Sequence, residues 1–172
     1  MITLKAIRLH RKCFILAVAV SFLMLLTSLM VNGQEPPPRP ISVTVSLVQN
    51  LSFGSFYHGN AGGSVIIYPD GSRSASGDVV LLSMGPVHST GLYDVFGNPG
   101  TVVSISNGPN ALLTNGGSSM TLIIGTSIPS STFIINTSPT QVRIGGTLMV
   151  NTPLNNPPGN YSGSFDVTFI QE

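Results

Sequence analysis

From Ile41 onward the chain alternates apolar and polar residues in short runs, each closed by glycine, proline, asparagine, aspartate or serine. In Ile41-Ser42-Val43-Thr44-Val45-Ser46-Leu47 every odd position is apolar and every even one carries a hydroxyl. The segment from Tyr161 to Phe169 again sets Tyr161, Phe165, Val167 and Phe169 on one parity. Successive strand side chains point to opposite faces, so a period of two predicts strands with one buried and one wet face. Further strands are predicted near Leu51–Phe56, Ser64–Tyr68, Asp78–Leu82, Tyr93–Phe96, Thr101–Ser106, Met120–Ile124, Thr132–Asn136 and Gln141–Val150. No window holds a helical period of useful length. So many half-apolar strands are most simply buried as two stacked antiparallel sheets, an all-β sandwich. Pro69-Asp70-Gly71 suits a tight reversal. Asn107–Asn110 and Asn155–Gly159 read as loops, and Gly145-Gly146 as a bulge or bend inside a long strand.

The first forty residues are of another kind. Lys5, Arg8, Arg11 and Lys12 precede a run from Phe14 to Val31 broken only by Ser21, Thr27 and Ser28. A basic start, an apolar stretch and small residues before a polar segment describe a secretory signal peptide, here residues 1–33. A retained membrane anchor is the alternative, because the run is long enough to span a bilayer. Residues 34–40 follow as a proline-rich linker, extended rather than helical. The expected organisation is therefore signal peptide, linker, and one sandwich domain over 41–172. Such a protein is expected to be secreted.

Removing residues 1–33 changes the charge balance. Three arginines (Arg39, Arg73, Arg143) then face six acids, a net charge of −3 with no lysine. That balance offers no electrostatic footprint for nucleic acid or anionic lipid. Membrane contact is expected only through the signal segment. Cys13 is the one cysteine, so the domain is expected to hold itself together by sheet pairing and core burial, without disulfides.

Catalytic patterns are sparse. His58 and His88 lie in glycine-rich stretches; with Asp70 or Asp94 they could start a metal site or a general base, but a metal needs three or four converging ligands. The Gly-x-Ser-x-Gly nucleophile turn is missing, the carboxylates stand singly, and Asp70-Gly71-Ser72 supplies at most one calcium ligand. The expectation is a protein that is not an enzyme and takes no cofactor or metal. Aromatic residues Tyr57, Tyr68, Tyr93 and Phe96 could line a binding face, though such residues are also ordinary strand formers.

Several stretches carry a family resemblance. Leu51-Ser52-Phe53-Gly54-Ser55-Phe56, Gly62–Val65, Pro69–Arg73 and Gly77–Val79 form one set. Ile144–Val150 and Pro158–Thr168 form the other. Together they resemble the secreted bacterial family known as domain of unknown function 4402, which is similar to the major subunits of Mat/Ecp-type common pili. The resemblance implies an immunoglobulin-like sandwich outside the inner membrane, in the periplasm or at the cell surface, and transfers no catalytic residue. It also implies assembly by strand addition, in which a neighbour's N-terminal strand completes a groove. Gly159 stands fourteenth from the C-terminus, where such pilins place a glycine, whereas Gln171 replaces their penultimate aromatic.

Two functional expectations follow. One is a structural or adhesive surface subunit, partnered by itself as a homopolymer or by a periplasmic chaperone or surface assembly partner. Its donor strand would be Ile41, Val43, Val45 and Leu47, and its core-facing edge Tyr161, Phe165, Val167 and Phe169. Pairing of Ile41–Leu47 within its own domain is the alternative use of that strand. The other expectation is a self-contained binding module for a glycan or protein, with Tyr57, His58 and Tyr93 as loop contacts.

Overall fold

The computed structural model describes the backbone of residues 42–45 and all of residues 49–172. The expected signal peptide and linker, together with Ile41 and Leu47, lie outside the described residues. So do the side chains of Val43 and Val45.

Ten strands make up the described fold, and all their pairings are antiparallel: β1 (Ser42–Val45), β2 (Phe56–Ile67), β3 (Arg73–Leu81), β4 (Gly91–Phe96), β5 (Val102–Asn107), β6 (Ala111–Asn115), β7 (Ser118–Ile128), β8 (Thr132–Ile134), β9 (Thr140–Val150) and β10 (Val167–Gln171). Seven form one sheet, and β10-β5-β8 form a second. The predicted all-β sandwich is the observed architecture.

The organising strand is β9. Its alternation buries Val142, Ile144, Leu148 and Val150 on one face. One edge of β9 is followed by β7, from Thr121↔Met149 to Ile128↔Arg143. The other edge is shared end to end: β4 pairs with Thr140–Ile144 and β2 with Gly146–Val150. The change of neighbour falls at Gly145. A Cβ there would run into the carbonyl oxygen of Ile67, the last residue of β2, and would lie 3.1 Å from Pro69 N. Only a residue without a side chain lets the two strand ends meet so closely. The Gly-Gly pair thus marks a change of partner within an unbroken β9, while the register slip sits opposite, in β7 between Ile124 and Ser127.

Two apolar clusters result. Tyr93, Val95, Val103, Phe133, Ile135, Val142 and Ile144 fill the space between the β4–β9 end and the three-stranded sheet. Phe53, Val65, Ile67, Val79, Met120, Leu122, Leu148 and Val150 form the other cluster. Here the lid is made partly of irregular chain: Leu51, Tyr161 and Phe165 pack onto it from segments that are not strands. Phe165 packs against both clusters.

Two expectations need correction. The single strand Tyr161–Phe169 is interrupted: Ser162 makes one isolated bridge to Thr114, and regular pairing resumes only at Val167 against β5. Pro157-Pro158-Gly159 ahead of it and Gly163 within it break the ladder. Leu51–Phe56 is likewise extended chain with one bridge, Ser52↔Ser89, until β2 begins at Phe56.

A cleft between two half-paired strand edges

A cleft of about 430 Å³ opens over the cluster that contains Val65, Leu122 and Leu148, between Leu51–Phe56 and Pro157–Gly163. Its floor includes the buried side chains of Phe53, Met120 and Leu148.

The first wall is held from outside. Ser52 exchanges two backbone hydrogen bonds with Ser89, each 2.9 Å, and its hydroxyl donates to the Val87 carbonyl. From β3 the Arg73 guanidinium donates to the carbonyls of Phe53 (2.9 Å), Leu82 (2.8 Å) and Ser55 (3.4 Å). Gly54 stands between with φ +66°, and Arg73 Nη1 lies 2.6 Å from where its Cβ would be. Positive φ and a packed guanidinium together make glycine the residue that fits there.

The second wall hangs on Asn156, which is fully buried. Its Oδ1 accepts the Asn151 N–H at 2.6 Å, and its Nδ2 donates to Ser119 O at 2.7 Å and Asn155 O at 3.0 Å. The backbone carbonyl of Asn156 takes a 2.9 Å hydrogen bond from His58 Nε2 on β2, so that nitrogen carries the proton. Tyr161 closes the local loop by donating its hydroxyl to Pro157 O at 2.8 Å. Ser162 exchanges backbone bonds of 2.8 and 3.1 Å with Thr114 of β6.

Each wall is therefore half of a strand. In extended chain, the residues flanking one that pairs to the left turn their N–H and C=O groups to the right. Ser52 and Ser162 pair outward. Their neighbours Leu51, Tyr161 and Gly163 make no backbone–backbone hydrogen bond to another described residue, while the carbonyl of Phe53, the other neighbour of Ser52, is taken by Arg73. Unpaired main-chain groups beside an apolar floor are what a further strand satisfies.

The expected site residues separate around this cleft. Tyr161 lines it, and Phe165 packs on the cluster beneath. Val167 and Phe169 lie on β10 and pack on the cluster that contains Tyr93, whose ring sits 5.6 Å from that of Phe169. Tyr57, His58 and Tyr93 do not converge. His58 lines the cleft, Tyr57 is exposed opposite Val80, and Tyr93 is buried within β4 rather than placed on a loop. The alternation of Gly91, Tyr93 and Val95 carried that signal, since it sets Tyr93 on the same face as Val95. Burial also raises the Tyr93 phenol above its ordinary 10.0. Among the described residues, no three histidine, cysteine, aspartate or glutamate side chains converge as a metal site would require.

Taken together, these features define an all-β antiparallel sandwich whose one end is closed by a sheet and whose other end is closed by two half-paired segments. The chain belongs to the family described as "Domain of unknown function (DUF4402)", whose model matches residues 43–170. Searches of curated proteins and of solved structures returned no match.

Proposed function

We propose that this protein is a non-catalytic, secreted structural subunit that assembles with further copies of itself by β-strand addition, in the manner of a pilin. The cleft between Leu51–Phe56 and Pro157–Gly163 carries the reading, because a half-paired edge on each side of an apolar floor suits an incoming extended strand. The donor in this reading is Ile41–Leu47 of a neighbouring copy, whose alternating apolar residues stand behind a proline-rich leader. The family's resemblance to common pilus subunits and the alternation of Tyr161, Phe165, Val167 and Phe169 support it further.

The test is a denaturing gel of surface fractions, run without heating and after heating. A strand-exchanged polymer holds until heated, because many main-chain bonds and a buried strand are lost together. The wild-type chain is expected to give a heat-labile ladder, and Val43→Asp with Val45→Asp to abolish it while export continues. A ladder unchanged in the double variant sinks the proposal.

A further inference from the structure

The strand assigned above as donor already has a place in its own chain. Strand β1 pairs antiparallel with β4, with Ser42 opposite Phe96, Val43 opposite Val95, Thr44 opposite Asp94 and Val45 opposite Tyr93. Among the described strands it is the last on that side of the sheet, with β4 as its one neighbour. At Gln49 the chain lies beside the same partner: Leu92 N–H donates to Gln49 O at 3.1 Å, and Ser52 bridges Ser89.

We infer that the β1–β4 ladder is an autoinhibitory contact, which keeps the donor strand at home until a second copy captures it. The inference rests on the strand-addition reading and adds its regulation. A strand cannot hydrogen-bond to β4 of its own chain and occupy a neighbour's cleft at once. Only residues 46–48 separate the end of β1 from Gln49, so the home edge competes as a tethered partner at high effective concentration. Transfer must also expose the outer N–H and C=O groups of β4. The ladder is four residues long and lies at a sheet margin, so it can be lost without disturbing the pairing of β4 with β9.

A reversible lock tests this. In the full chain with Cys13→Ser, Ser42→Cys and Phe96→Cys place two thiols at directly opposed positions of the ladder. Opposed Cβ atoms stand about 5 Å apart, within small adjustment of disulfide geometry. The oxidised protein is expected to carry an intramolecular disulfide and to give no ladder on the unheated gel. Reduction of the same sample is expected to restore the ladder. Assembly that proceeds with the intramolecular disulfide intact overturns the inference. So does failure of the disulfide to form, or its formation between copies, since β1 then does not rest on its own β4. Absence of a ladder from the Cys13→Ser chain with no other change refutes the assembly reading instead, so the two failures are distinguishable.

Discussion

Replacing Asn156 by alanine tests whether one buried amide holds the second wall of the cleft. The substitution leaves Asn151 N–H and Ser119 C=O without their side-chain partner and empties a fully buried position. Each buried group left unpaired costs about 1–3 kcal/mol, less where water can reach it. Both bonds are only partly buried, so the low end applies, and loss of packing brings the expected total to about 3 kcal/mol. For a domain of this size that corresponds to a fall in Tm of about 12 °C, at about 4 °C per kcal/mol. The assay is urea unfolding, in which the midpoint should fall while the slope stays constant. Asn156→Asp sharpens the test. It keeps the acceptor for Asn151 N–H but turns a second oxygen toward the carbonyls of Ser119 and Asn155. A carboxylate there is favoured only when protonated. The Asp variant should therefore be at least as unstable as the Ala variant at neutral pH and recover as pH falls. An Asn156→Ala protein within about 0.5 kcal/mol of wild type would refute the reasoning, because surface loop positions behave that way.

Two other substitutions probe the core. Gly145→Ala should cost about 2–3 kcal/mol, because the added methyl meets the backbone of Ile67 and Pro69, whereas Gly146→Ala meets side-chain ends of Leu122 and Leu51 at 3.0 and 3.1 Å, with the Ile123 carbonyl farther off at 3.3 Å, and should cost less; equal urea midpoints for the two would contradict the change of partner at Gly145. The raised phenol of Tyr93 means that the folded state holds its proton longer than the unfolded chain. Stability should therefore be unaffected well below 10 and decline as pH rises through and beyond it. Midpoints at about pH 8 and about pH 11 should show this decline, and Tyr93→Phe should lessen it.

Much of the architecture could be read from a period of two. The parity of Tyr161, Phe165, Val167 and Phe169 survives in the structure as alternating half-buried and exposed positions, although the ladder beneath it is broken. Alternation reports which face is buried and says nothing about which strand lies alongside. That is why Tyr161–Phe169 read as one strand. The hairpin of β6 and β7 was missed although its signal is local: Gly116-Gly117, both at positive φ, form a two-residue loop between the paired Asn115 and Ser118. Asn156 was unreadable for a different reason. Asn155-Asn156-Pro157-Pro158-Gly159 has the composition of a solvated loop, and only the fold shows that its second asparagine turns inward. The cleft has no sequence signature either, since it lies between segments about a hundred residues apart, each paired to something else.

The position of β9 sets the order of events during synthesis. Its partners β2, β4 and β7 all precede it in the chain and all carry an edge that only β9 satisfies. Hairpins β2–β3 and β6–β7 close over short loops and can form as they emerge. The sheet that joins them must wait for Thr140–Val150, which follows all three of its partners in the chain. Until then the nascent chain presents several unpaired apolar edges at once, the condition under which chains aggregate or are held by a chaperone. Its vulnerable interval is therefore set by the delay before one late strand arrives.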